Sequence, residues 1–118
     1  MGFQKFEDII AWQKGQDLAV AIYEEFGKIR DFGFKNQICD ATISISNNVA
    51  EGFDRASDKE FIRFLYYSLG SASEVKSMLY LAPRISLCTQ DKANELLIQV
   101  NEVGRIVAGL IKNLKSKL

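Results

Sequence analysis

Histidine is absent from the sequence, and cysteine, proline and tryptophan are rare, with two, one and one residue among 118. Without histidine the chain lacks the side chain most used for proton transfer near neutral pH, which is also the commonest metal ligand. Cys39 and Cys88 lie too far apart for a zinc or redox motif. Two thiols in so short a chain favour a reducing compartment. These absences argue against most zinc, disulfide and acid–base chemistry.

Net charge is also absent, because fifteen basic and fifteen acidic residues cancel. No overall field therefore draws the protein to nucleic acid or to an anionic membrane, and any such attraction must come from local clusters. No apolar run approaches the ~18 residues of a membrane span, and the first ten residues contain no apolar signal-peptide core. We expect one soluble, cytoplasmic domain over residues 1–118.

Helical periodicity, by contrast, is abundant. Apolar residues recur every 3.6 positions almost throughout, and alternating strand patterns are nearly missing. The spacing predicts helices at about residues 6–30 and 35–54, a third from Ser57 to Pro83, and a fourth from Thr89 to the last residue. Four long helices with short connections indicate an all-α fold, an antiparallel up-down-up-down four-helix bundle.

The start of the third helix is marked by the segment SDKE, from Ser57 to Glu60. In such a capping box the serine hydroxyl accepts a hydrogen bond from the N3 amide, and the glutamate reaches back to the amide of the serine. The segment therefore predicts a very short turn between the second and third helices.

Glu51 and Glu74 are the strongest candidates for chemistry, since each lies beside small polar residues. Two carboxylates could act as acid and base, or as metal ligands in a bundle core. Di-metal bundles, however, use Glu-x-x-His, and the sequence has neither histidine nor a phosphate-loop or nucleophile motif. We predict no catalytic residue, no metal and no cofactor, and interpret both glutamates as polar residues of a helix surface or helix contact.

A basic pole is the candidate nucleic-acid site. Antiparallel topology brings the starts of the first and third helices to the end at which the second and fourth helices finish. The cations predicted to bind phosphate there are Arg55, Lys59, Arg63, Lys112, Lys115 and Lys117. With Lys5 included, seven cations face six acidic residues at this end, a surplus of one. A solvated surface with local ion pairs is therefore an equally good interpretation.

The second and third helices each carry a second apolar stripe, which a simple bundle does not need. Extra apolar and aromatic surface at helical spacing favours contacts between subunits. The residues assigned to this oligomer interface are Cys39, Ile43, Ala50, Ile62, Tyr66, Leu69 and Tyr80. A single wide core stripe is the alternative interpretation.

One long segment, SISNNVAEGFDRASDKEFIRFLYYSLGSASEV at residues 44–75, combines these features in a specific order. Its pattern resembles the signature of the 23S rRNA-intervening-sequence proteins, also called S23 ribosomal proteins. Polar, glycine and capping positions of the signature fall on Asn48, Glu51, Gly52, Ser57, Glu60, Gly70, Ser71 and Glu74. Similar flanks, WQK at 12–14 and EVGR at 102–105, extend the resemblance over nearly the whole chain.

The resemblance implies an antiparallel bundle that assembles into a ring, commonly a homopentamer, with no established enzymatic activity. A similar bundle is the accessory protein of diversity-generating retroelements, which binds RNA and a reverse transcriptase. The expected partners are therefore copies of the chain itself, and RNA or a nucleic-acid-processing protein, but no membrane.

The sequence departs from the family pattern at QICDA, where Cys39 and Asp40 occupy positions that are usually basic. Together with the zero net charge, this departure keeps a second hypothesis open, a protein-interaction scaffold without affinity for nucleic acid. Under either hypothesis the central motif is architectural. Gly52 permits a close approach of helices or a helix end, and the polar motif residues belong to the bundle and its subunit contacts.

Overall fold

Four long α-helices make up the structure, a computed structural model that describes residues 2–118. They are α1 (Ile10–Phe26), α2 (Phe32–Phe53), α3 (Asp58–Leu81) and α4 (Gln90–Lys115). Short 3-10 helices at Phe6–Asp8 and Ala82–Ile85 precede α1 and follow α3. The described residues contain no strand, so the prediction of an all-helical protein with four helices is confirmed. None of these helices combines the length and apolarity that a membrane crossing requires.

The ends of the first two helices differ from the prediction. Extended backbone at Ile9 separates the 3-10 turn from α1, so α1 is shorter than residues 6–30. The second helix begins at Phe32, three residues earlier than expected, because the Asp31 carboxylate caps it by accepting a 3.0 Å hydrogen bond from the Phe34 amide. Gly33 therefore lies within the first turn of α2.

The caps of α3 and α4 follow the sequence signals closely. Ser57 accepts a hydrogen bond from the Glu60 amide at 3.2 Å, and Thr89 accepts one from the Lys92 amide at 3.1 Å. Only half of the capping box forms, however, because the Glu60 carboxylate pairs with the Arg63 guanidinium at 2.9 Å instead of reaching back. Pro83 lies just beyond α3, in the 3-10 turn that follows it.

The core runs along the axis of the bundle and is built from one stripe of each helix. α1 contributes a narrow stripe that includes Leu18, Ile22 and Phe26, and the Phe26 ring meets Phe34 of α2 at 5.5 Å between centroids. The apolar repeat predicted for α4 is buried at Ala93, Leu96, Leu97, Val100, Val103, Val107, Ile111 and Leu114.

Three small hydroxyl residues, Thr42, Ser46 and Ser68, are fully buried among these apolar side chains. Each hydroxyl has a partner, which a polar group in the interior requires. The Ser68 hydroxyl donates to the Ile45 carbonyl of α2 at 2.8 Å, and Ser46 accepts from the Gln16 amide of α1 at 3.0 Å. These bonds link α2 to both of its neighbours.

Gly52 allows α2 and α3 to approach each other where the two helices meet their connecting turn. A Cβ atom at this position would lie 2.6 Å from the Phe64 Cβ and 3.0 Å from the Phe61 Cδ1. Such distances are too short for carbon atoms, so a side chain here would push the helices apart. Next to it, the rings of Phe53 and Phe61 pack edge to face with centroids 5.9 Å apart.

We expect Gly52→Ala to lower the free energy of unfolding by about 1–3 kcal/mol, because the added methyl group overpacks the contact with Phe64. Gly109→Ala is the matched control, since a Cβ at this helical position would meet no described atom within 4 Å. The control should gain up to about 1 kcal/mol from better helix propensity. Urea unfolding at equal protein concentrations measures both, and equal effects of the two changes would contradict the packing argument.

Candidate nucleic-acid interface

The predicted basic residues surround the start of α3. Lys115, in the last turn of α4, donates a 2.7 Å hydrogen bond to the hydroxyl of Tyr66 in α3. Arg55 lies in the turn before α3, and Lys59 lies in its first turn. We name the set Arg55, Lys59, Arg63, Lys112, Lys115 and Lys117 the basic pole.

Two arginines of the basic pole share one aromatic ring. The guanidinium carbons of Arg55 and Arg63 lie 4.6 Å and 5.4 Å from the centroid of the Phe64 ring. Arg55 also pairs with Glu51 at 3.1 Å, and Arg63 with Glu60 at 2.9 Å. Both arginines are thus held in place by cation–π contacts, and much of their charge is balanced by a carboxylate of the same chain.

The lysines of the basic pole are less restrained. Within residues 2–118, Lys59, Lys112 and Lys117 are exposed and have no carboxylate within 4.0 Å. Lys115 contacts only the neutral Tyr66 hydroxyl, and its Nζ lies 5.1 Å from the ring centroid, at the hydroxyl edge instead of over the face. The lysines are therefore the cations of this pole that have no direct carboxylate partner.

The two candidate glutamates lie far apart. Glu51 pairs with Arg55, whereas Glu74 accepts a 3.2 Å hydrogen bond from the Gln37 amide of α2. Gln37 and Glu51 are fourteen residues apart on α2, a distance of about 21 Å along a helix. The two carboxylates therefore do not form an acid–base pair. Nowhere in the described chain do three cysteine, aspartate or glutamate side chains group as metal ligands would.

The other motif residues differ in burial and in whether they have a partner within the chain. Asn48 is half-buried and donates to the Ser44 carbonyl of its own helix at 2.8 Å, so it has a local partner. Ser71 is half-buried, whereas Gly70 is exposed, and a Cβ at Gly70 would meet no described atom within 4 Å. Nothing within one chain therefore requires a glycine at position 70.

The Cys39 thiol is buried, and the Cys88 thiol is partly buried. Burial raises the pKa of the Cys39 thiol above its ordinary value, and only part of this rise is offset by the nearby Lys35 ammonium. Burial, with a smaller contribution from Glu25, also raises the pKa of Cys88. Both thiols are consequently protonated at neutral pH, which is the opposite of the activation that a nucleophilic cysteine needs.

Two residues of the predicted oligomer interface lie inside the single chain. Cys39 and Ile62 are only 4% and 7% exposed inside a single chain, so neither side chain is available to another subunit. Ile43, Ala50 and Leu69 are half-buried, and only Tyr66 and Tyr80 are exposed. Cys39 and Ile62 belong to the core and Leu69 packs against it, because α2 and α3 each have two neighbouring helices.

A groove between α3 and α4 was missed by sequence reasoning. It consists of two adjoining hollows, of about 340 and 280 Å³, that share Leu69 and Ala108. The sequence pattern that corresponds to the groove is a set of small residues at helical spacing. Gly104 and Ala108 on α4 lie opposite Ala72 on α3. This pattern is visible in the sequence, but it acquires meaning only when the two helices are placed side by side.

Comparison with known proteins finds one matching family and a solved structure with the same fold. A family model described as 23S rRNA-intervening sequence protein matches residues 7–109. A solved structure from Bacteroides thetaiotaomicron, described as a protein of unknown function from the S23 ribosomal protein family, has the same fold, with a TM-score of 0.81. It is 24% identical, and the match covers 86% of this chain and 98% of that one. No curated protein matches the chain.

We expect iodoacetamide to alkylate Cys39 much more slowly in the folded protein than in the chain unfolded by guanidinium chloride, because the raised pKa and burial reduce the accessible thiolate. Cys88, which is partly exposed, should react faster than Cys39. Mass spectrometry of the single variants Cys88→Ser and Cys39→Ser separates the two rates. Equal rates for Cys39 in the folded and unfolded chains would refute its shielding.

Proposed function

Since the chain belongs to the 23S rRNA-intervening sequence protein family, we propose that it is a non-catalytic bundle protein that self-associates and binds RNA weakly through its basic pole. The observation that carries RNA binding is the presence of exposed lysines without carboxylate partners outside the groove between α3 and α4, Lys59 and Lys117. They provide charge that phosphates can neutralise, whereas the arginines nearby are engaged by their own glutamates.

The proposed topology is antiparallel, up-down-up-down. It is supported by contacts that pair the end of each helix with the start of the next, such as Phe26 with Phe34 and Phe53 with Phe61. The bond between Lys115 and Tyr66 pairs the end of α4 with the first half of α3 in the same sense. In this topology all residues of the basic pole lie at one end of the bundle.

Self-association would raise the affinity for RNA, which would be low for the basic pole of one chain alone. One chain offers only a few free lysines, and its net charge is zero. A cyclic assembly, which the family resemblance favours as a pentamer, would present the same lysines several times on one side. Linked weak contacts gain affinity through multivalency, without any new strong site.

Absence of catalysis is part of the proposal. The separation of Glu51 and Glu74 and the raised pKa of both thiols support it. Of the other polar residues of the motif, Ser57 caps α3, Asn48 bonds to its own helix and Glu60 pairs with Arg63.

The second candidate function is a protein-interaction scaffold without affinity for nucleic acid. The specific observation in its favour is the ion pairing of Arg55 and Arg63 with glutamates of the same chain. These pairs reduce the charge available to phosphate and leave the apolar groove between α3 and α4 as the main accessible feature.

We expect Lys59→Glu combined with Lys117→Glu to abolish binding of a single-stranded RNA, because both lysines are exposed and lack a carboxylate partner. Wild-type binding should depend little on sequence and fall steeply as salt rises above about 50 mM, since released counterions drive it. Fluorescence anisotropy with labelled RNA measures both effects.

The matched control for this charge reversal is Lys28→Glu with Arg30→Glu, which makes the same change between α1 and α2. This control should bind RNA as the wild type does, apart from a small general loss. If the wild type shows no binding at about 50 mM salt, where phosphate contacts are strong, the scaffold is the better description.

We expect light scattering on the purified protein to give a mass of roughly five times that of the 13.3 kDa chain, as a closed ring of five copies requires. Tyr66→Glu should reduce this mass while the helical circular dichroism is preserved, because Tyr66 is 47% exposed. A wild-type mass equal to that of one chain at tens of micromolar would refute self-association.

A further inference from the structure

The groove between α3 and α4 has an apolar floor and a basic rim. Leu69, Val100 and Ile111 line the floor, and the α4 residues along it, 100–115, extend over about 22 Å. A Cβ at Gly104 would meet no described atom within 4 Å, so the groove is open to another helix at its centre. We name it the α3/α4 groove.

Every charged residue that lines the α3/α4 groove is a cation. The four are Lys76, Arg105, Lys112 and Lys115. Within residues 2–118 none of them has a carboxylate within 4.0 Å. The acidic residues on the same stretches, Glu74 and Glu102, contact Gln37 of α2 and Lys14 of α1 instead, away from the groove. An occupant with an acidic, partly apolar surface would therefore match it.

The chain itself carries such a surface on α1. The side of this helix that points away from the core exposes Ile10, Val20 and Tyr23 by 55%, 58% and 47%. Asp17 and Glu24 lie on the same side and are exposed. The one cation of α1, Lys14, pairs with Glu102 of α4 at 3.4 Å. We name this surface the outer face of α1.

The two surfaces match in sign, apolarity and length. α1 has 17 residues, about 25 Å of helix, which corresponds to the length of the groove. Two carboxylates flank its exposed apolar residues, and cations flank the apolar floor of the groove. An RNA strand would neutralise the rim but leave Leu69 and Ala108, the more accessible apolar residues of the groove, without apolar partners, so the groove fits an amphipathic helix better.

We propose that the outer face of α1 in one copy of the chain docks into the α3/α4 groove of the next copy. This interface rests on the self-association proposed above and identifies the two surfaces that form it. Because the surfaces are different, the contact is heterologous, and each copy added leaves one free face and one free groove until a ring closes.

The interface divides the lysines of the basic pole between two tasks. Lys112 and Lys115 line the α3/α4 groove and contact the neighbouring copy. Lys59 and Lys117 do not line it and stay available to phosphate. Assembly and RNA binding therefore use separate residues, which allows them to be tested separately.

Charge reversal tests the interface from both sides. Lys76→Glu with Arg105→Glu makes the larger of the two hollows acidic, because these are its only charged residues, and Asp17→Lys with Glu24→Lys makes the outer face of α1 basic. Each pair of changes should weaken assembly by at least about tenfold in dissociation constant, because like charges then face each other. Sedimentation velocity over a concentration series measures this, and circular dichroism verifies that each variant is folded.

Restoration is the decisive measurement. The chain with all four changes has an acidic larger hollow and a basic α1 face, so it should assemble again by itself. The two double variants should likewise assemble when mixed, because each supplies the surface that the other needs. Lys28→Glu with Arg30→Glu, which lies outside both surfaces, is the charge control and should keep the wild-type mass.

The outcomes separate this interface from the broader proposal. A monomeric wild type would overturn self-association as a whole. A wild type that assembles while both double variants keep its mass would overturn only this interface. If the double variants dissociate but neither the fourfold variant nor the mixture reassembles, the pairing of these two surfaces is wrong.

Discussion

The close approach of α2 and α3 is the constraint on which the rest of the structure depends. At Gly52 the two helices leave no room for a Cβ, and sixteen residues farther along the chain the Ser68 hydroxyl bonds to the α2 backbone at Ile45. Glycine and serine here are small enough for the backbones to come near, and the hydroxyl keeps its buried oxygen satisfied. The motif within residues 44–75 thus encodes a helix contact.

This contact also shapes the basic pole. The turn between α2 and α3 is short, and it is fixed by the bond from the Arg55 amide to the Gly52 carbonyl at 3.1 Å and by the Ser57 cap. Because α3 starts so soon, Phe64 lies beside the turn, and Arg55 stacks on its ring. The positions of the charges at this end therefore follow from the packing of two apolar helices.

The fold could be predicted from the sequence because its signals are local. Periodicity located four helices, and the side chains of Ser57 and Thr89 marked two of their starts. The pairing of Arg55 with Glu51 was also within reach, since residues four apart on a helix are neighbours. The burial of Cys39 and Ile62 was not, because a helical wheel does not tell which apolar stripe meets a second neighbouring helix and which meets solvent.

The α3/α4 groove was beyond sequence reasoning for a related reason, since its rim combines residues from two helices that lie far apart in the chain.

The groove also changes how the zero net charge is interpreted. A balanced total appeared to argue against electrostatic recognition, but the balance conceals an acidic outer face on α1 and a basic groove between α3 and α4. In the proposed heterologous contact, positive and negative charges would be buried together in each copy. Lys59 and Lys117, which lack a carboxylate partner, would then be repeated around one end of the proposed assembly, so a neutral chain could gain phosphate affinity through repetition instead of net charge.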